Sequence, residues 1–216
     1  MVDAGAADCG GQPVRDSTWR LGADGALADV VVAVSQSPSA SNRVPESIEV
    51  ACRDCDFFPK VLVLQPGQRL ALVSEETSEL TVRLFRHESG GAEDKPMLED
   101  VLAAGAKLEI SLPSHPGVVR VECAGRPWMT GWVLIHSGIH AGVTGEDGSY
   151  EITRALPDGE YEVVAWHPRF RRGLKKTVLV VNGTGTLNFA FDFNQSLDAP
   201  ARKSSAARIA DPSSTI

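Results

Sequence analysis

The sequence predicts an all-β protein built as two β-sandwiches. Three observations lead there. Short β-branched or alternating runs recur along the chain, among them Asp29-Val-Val-Val-Ala-Val and Leu80-Thr-Val-Arg-Leu-Phe. Gly/Pro turn signals separate these runs at short, regular spacing, and no long stretch carries a helical period. The composition is 43% hydrophobic and 23% charged over 216 residues, which gives enough chain for one large domain or two small ones with a real core.

Taken in order, residues 1–17 are Gly/Ala/Asp-rich and without periodicity, so a flexible segment is expected unless Cys9 staples it. Residues 18–43 hold a first strand near Val30 and then a Ser/Pro-rich loop. Next come strands at Ile48-Glu-Val-Ala-Cys, Lys60-Val-Leu-Val-Leu and Arg69-Leu-Ala-Leu-Val. The last two flank the turn Gln65-Pro-Gly-Gln, with Pro at its favoured position. Leu80, Val82 and Leu84 alternate with Thr81 and Arg83, the period of a half-buried strand. A charged loop over 86–97 precedes strands at Lys107-Leu-Glu-Ile-Ser-Leu and Gly117-Val-Val-Arg-Val-Glu-Cys. Thr130-Gly-Trp-Val-Leu-Ile follows as another strand. From His140 onward, Asp147-Gly148 and Pro157-Asp158-Gly159 mark turns between further strands, with Leu187-Asn-Phe-Ala-Phe-Asp as the expected last one. Residues 196–216 are Ser/Ala/Pro-rich, and a disordered tail is expected.

The formal net charge of −7 argues against nucleic acid as a partner, since phosphate binding needs a basic surface. The basic cluster Arg169, Arg171, Arg172, Lys175 and Lys176 reads as a solvated hairpin loop. No apolar run is long enough to span a bilayer. The first residues show no signal-peptide pattern, which leaves a cytosolic protein or a mature, exported form. Four cysteines, Cys9, Cys52, Cys55 and Cys123, form an even set compatible with disulfides. Cys52 and Cys55 are a Cys-x-x-Cys pair, but no second ligand pair stands at zinc spacing and no βαβ context supports a redox motif. At least one disulfide involving Cys52 or Cys55 is expected, with the pairing open.

The stretch from Val121 to Trp132 places Cys123 and Met129 on either side of a Gly/Pro loop. A blue-copper site is framed this way, by a thiolate, an imidazole and a weak thioether from one loop plus an imidazole from a distant strand. Cys123, Pro127, Trp128 and Met129 resemble the Cys-x-x-His-Pro-Trp-Met loop of cupredoxin-like domains of the methylamine-utilisation type. Cys55-Asp-Phe-Phe-Pro, followed by a Val/Leu run and Pro-Gly-Gln, is similar to the opening of bacterial plastocyanin-like domains. Thr144, Asp147, Gly148, Tyr150, Pro157, Gly159 and Tyr161 resemble a carboxypeptidase-regulatory-like module, a small prealbumin-type sandwich. The resemblance therefore implies a cupredoxin-like domain over 44–137 and a carboxypeptidase-regulatory-like domain over 138–195. The segment 18–43 is free to complete the second of these. It also implies export to the periplasm or cell exterior.

The copper ligands that the resemblance implies are incomplete. Arg126 stands in place of the loop histidine, and Leu80 in place of the upstream one. Cys123 and Met129 alone make a poor Cu(II) site, and a fixed guanidinium charge repels a cation. His87, His115, His136, His140 and His167 read as satisfied or solvated rather than as ligands, and Trp128 and Met129 as core filler. Glu75, Glu76 and Glu79 read as a solvated charge cluster. Ser114-His115 lacks a nucleophile elbow, and Asn182-Gly-Thr is a glycosylation sequon. The expectation is a non-catalytic, exported protein with a degenerate copper site and no cofactor, working through contact with another protein. A rearranged copper-binding or electron-transfer site, and a carbohydrate-binding-like module, stand as alternatives.

Overall fold

The computed structural model describes residues 17–36, 47–88, 91–92 and 95–199. Their strands are β1 (Val31–Val34), β2 (Ser47–Arg53), β3 (Asp56–Phe58), β4 (Val61–Leu64), β5 (Arg69–Ser74), β6 (Leu80–Glu88), β7 (Gly91–Ala92), β8 (Leu98–Leu102), β9 (Lys107–Ser111), β10 (Gly117–Cys123), β11 (Arg126–Ile135), β12 (Ala141–Val143), β13 (Gly159–Trp166) and β14 (Leu174–Val180). The only helical turns among the described residues are short 3-10 segments at Ala23–Gly25 and Phe193–Gln195. The protein is all-β and is built from several sheets.

Two sheets form the central unit. One has the order β3-β2-β5-β9, and the other β4-β11-β10-β6-β7 with β8 also on β6. Most pairings are antiparallel, but β2 runs parallel to β5 and β4 parallel to β11. The period of two decides what faces inward. On β11, Met129, Val133 and Ile135 are buried in the core, while Thr130, Trp132 and Leu134 point the other way. On β6, Leu80, Val82 and Leu84 join the same core, as their alternation with Thr81 and Arg83 predicts. Val50, Leu70 and Leu72 meet them from the facing sheet. The turn between β4 and β5 closes with the Gln68 amide donating to the Gln65 carbonyl at 3.0 Å, with Gly67 at φ 84°. That is the residue type such a turn requires at this place.

The third sheet has the order β12-β1-β13-β14. β1 is internal, and all four of its residues are buried. Thr144 ties the sheet at its edge. Its hydroxyl donates to the Leu27 carbonyl at 2.7 Å and accepts the Val30 amide at 3.0 Å. The other layer of this unit comes from two extended segments, 149–158 and 185–192, which lie outside any strand ladder. Tyr150, Ile152, Leu187, Phe189 and Phe191 pack from them onto Val32, Val163 and Ala165. The expected last strand, Leu187 to Asp192, is thus a packed segment rather than a ladder strand. A side chain makes the link instead: the Tyr150 hydroxyl donates to the Leu187 carbonyl at 2.8 Å, and a cavity of about 620 Å³ is lined by both segments.

The units meet where outward-facing Trp132 of β11 stands edge-on to Trp166 of β13, with ring centroids 6.4 Å apart, and to His87 at 5.1 Å. Residues 196–199, expected as the start of a tail, are instead held. Ser196 is buried, the Leu197 amide donates to the Arg169 carbonyl at 2.8 Å, and Asp198 accepts from Trp19 Nε1 at 2.9 Å. Residues 1–16, with Cys9, and 200–216 lie outside the described residues.

Candidate functional site

β10 and β11 place the copper-type residues, and their junction differs from the sequence expectation. The stretch after Cys123 is not an open loop but a β-hairpin. Cys123 pairs with Arg126 across a two-residue turn, Ala124–Gly125, in which Gly125 takes φ 77°. The register then jumps from Cys123↔Arg126 to Glu122↔Thr130, so Pro127, Trp128 and Met129 bulge from β11. The hairpin tip is tied to β6 by the Ala124 amide, which donates to the Thr81 carbonyl at 2.8 Å.

Each sequence-derived candidate can be placed. Leu80, Cys123 and Met129 all lie in the central core, and Leu80 and Met129 are almost wholly buried. Arg126 is also buried. It donates from Nη2 to Ser78 Oγ at 3.1 Å and lies 4.0 Å from the Glu76 carboxylate. Glu76 in turn accepts the Cys55 amide at 2.7 Å. Glu76 is therefore not part of a solvated cluster. It is the counter-charge of Arg126, and Ser78 accepts the other arm of the guanidinium. Sequence reading missed this because the two residues are fifty positions apart.

Two disulfide candidates are corrected. Cys52 and Cys123 are free, buried thiols in the core, while Cys55 is disulfide-bonded. Burial first, then the neighbouring Cys123, Glu76 and Glu75, push the Cys52 thiol up to about 12. Burial also raises Cys123, against a smaller opposing pull from Arg126. Metal binding needs a thiolate, and burial beside Glu76 opposes its formation.

The histidines do not supply the missing imidazoles. His87 pairs with Val118, five residues before Cys123 on β10, or roughly 17 Å along the strand. His115 is bonded to Arg86, near the same far end of the sheet. His140 is buried with Nε2 3.2 Å from the Ala155 carbonyl, and His167 stacks on Trp19 with centroids 5.3 Å apart. Among the described residues no group of three or more His, Cys, Asp or Glu is arranged to hold a metal ion. The donor set of thiol plus thioether, with an aliphatic side chain and a guanidinium in the imidazole places, does not fit Cu(II).

No protein-family model matches the chain. No curated protein matches it. Among solved structures it is similar to the amicyanin of Paracoccus versutus, at 15% identity and TM-score 0.36, over 49% of this chain and 97% of that one. It is similar to a purple cupredoxin from Nitrosopumilus maritimus, at 14% identity and TM-score 0.34, over 41% of this chain and 98% of that one. It is also similar to a copper-containing nitrite reductase from Thermus scotoductus SA-01, at 19% identity and TM-score 0.35. That likeness covers 48% of this chain, which spans only 25% of the reductase.

Proposed function

We propose that this chain is a non-catalytic binding component whose cupredoxin-type corner has been closed into a hairpin and no longer holds copper. The observation that carries the reading is the Arg126–Glu76 pair next to the hairpin turn, with Leu80 buried in the core. In place of two neutral imidazoles the chain has a structural cation with its own counter-ion. A metal cation entering there would face the guanidinium and would have to ionise a thiol that burial keeps protonated. A protein without reactive chemistry works by contact, so the partner is read as another protein. Export to the periplasm or cell exterior belongs to the same proposal. No helix among the described residues is long and apolar enough to cross a membrane.

Copper titration with visible absorption tests the reading. The protein is expected to stay colourless with Cu(II) and to show no intense thiolate-to-copper band. Arg126→His alone should not create one, because Leu80 still leaves an equatorial position without a donor. Tight binding of one equivalent of Cu(II) with a blue colour in the unmodified protein would overturn the proposal.

A further inference from the structure

The core under the third sheet is only half covered. Among the described residues five of its members are buried, while nine further hydrophobics that pack on them are only partly so. In the central core nineteen are buried and four partly so. The deficit lies in the outer layer, which consists of segments 149–158 and 185–192 alone. Both alternate as strands do. Tyr150, Ile152, Leu187 and Phe189 turn towards the core, and Glu151, Thr153, Asn188 and Ala190 are exposed. Yet among the described residues no amide N–H from 150 to 156 or from 185 to 191 has a protein acceptor. The carbonyls that are engaged, those of Ala155, Pro157, Leu187 and Asn188, are engaged by side chains.

The two segments are the walls of the cavity of about 620 Å³. Every residue from Gly148 to Leu156 and from Gly183 to Asn188 lines it. Successive side chains of an extended chain point to opposite faces, so a wall that uses every residue is made by the backbone edge. Hydrogen bonds close the slot at both ends. The Tyr150 hydroxyl donates to the Leu187 carbonyl at 2.8 Å, and the Gly183 amide to the Asp158 carboxylate at 3.2 Å. At the first tie a phenol ring intervenes, so the walls stand further apart than the ~4.8 Å of paired strands. Between Gly183 and Leu187 the slot runs roughly 13 Å, at ~3.3 Å per residue. Part-buried Ile152, Leu156 and Val178 supply apolar surface within it.

We propose that this slot takes a short extended peptide of a partner protein as an added strand, with small aliphatic side chains at alternate positions turned to the core. The proposal rests on the contact reading above and names the partner's chemistry. Each wall offers donors and acceptors in alternation at strand spacing, and an extended polypeptide answers both walls at once. An unpaired strand edge is a ready template for another chain. The Ile152, Leu156 and Val178 surface suits aliphatic side chains and offers no partner to a charged one.

The test uses the full chain and two synthetic peptides, acetyl-Lys-Val-Thr-Val-Thr-Val-Lys-amide and the same peptide with proline for its central valine. Binding is followed by calorimetry, and hydrogen exchange by mass spectrometry. In the free protein, amides of 150–156 and 185–191 should exchange at close to the rate of an unstructured chain. The Val/Thr peptide should bind saturably with a Kd below about 1 mM and slow exchange in both walls by about tenfold or more. The proline peptide lacks a central donor and should bind about tenfold more weakly or worse. Thr186→Pro removes an amide from one wall and should weaken the Val/Thr peptide to a similar degree. If that variant fails to fold, the two peptides on the unmodified chain decide the matter. Slow exchange of both walls in the free chain would overturn the proposal, because the slot would already be filled by a second copy or by another part of this chain. No saturable binding of the Val/Thr peptide up to ~5 mM would overturn it too, as would equal binding of the proline peptide. Copper is read separately by colour, so failure of the slot and failure of the copper reading are distinguishable.

Discussion

Arg126→Leu removes the guanidinium charge 4.0 Å from Glu76 and leaves the largely buried carboxylate, which accepts the Cys55 amide, without that counter-charge. Breaking one side of a buried pair costs more than the pair itself contributes. The variant should lose about 2 kcal/mol of unfolding free energy in urea. Adding Glu76→Gln to it should cost less than the sum of the two single changes. A second residue-scale prediction concerns His167, whose pKa lies at about 4 in the folded protein against 6.5 for the free group. The folded ring is neutral, so between these values the unfolded chain binds more protons. Stability from this source is fully present above pH 6.5 and is lost as pH falls from 6.5 towards 4. The loss amounts to about 3 kcal/mol if the full shift is expressed. His87 and His136 are also lowered, chiefly by burial, and act with the same sign. Urea unfolding across this pH window should show the fall, and His167→Phe should flatten the larger part of it.

Where one element closes on another, a single hydrogen atom can be required. A Cβ added at Gly142 of β12 would stand 2.6 Å from the Glu151 carbonyl oxygen, a backbone atom that cannot rotate away. Gly142→Ala should push the 149–158 segment off the third sheet and cost about 1–3 kcal/mol, read as a lower denaturation midpoint. Elements of this kind also show how far the sequence could be read. β1, β5, β6 and β10 were legible because β-branched runs or a clean alternation carried them, and Pro66-Gly67 marked its own turn. β8 was not, because only Leu102 of its five residues is buried and no alternation signals it. β3 is three residues long, too short to show a period. The hairpin at Ala124–Gly125 escaped for another reason. Family-like spacing implied a loop, while the local text Ala-Gly between two β runs fits a tight turn equally well. The site was legible as a set of substitutions, Leu80 and Arg126 for imidazoles. The partners that make those substitutions stable, Glu76 and Ser78, exist only through tertiary approach. The same holds for His167, which reads as satisfied or solvated in the sequence and is buried against Trp19 in the fold.

The chain path makes the third sheet depend on residues separated by the whole central unit. β1 pairs with β12 on one side and β13 on the other, joining Val31–Val34 to strands more than a hundred positions later. Among the described residues no strand of the two central sheets pairs with β1, so the central unit is expected to fold without it, whereas the third sheet would lose its internal strand. A chain shortened to begin at Ser47 tests this. It keeps every strand of the two central sheets, whose core is built from Val50 to Ile135. It loses β1, whose Val32 and Val34 sit in the middle of the second core with Val163 and Ala165. The three-residue β12 then has no ladder partner, and β13–β14 is left as a two-stranded hairpin, which is marginal alone in water. Hydrogen exchange followed by mass spectrometry should show β10 and β11 protected as before. Amides of β13 and β14 should exchange roughly 1,000-fold faster or more. Retained protection in β13 and β14 would show that packing from the 149–158 and 185–192 segments holds the hairpin in place, and that the third sheet does not need its internal strand.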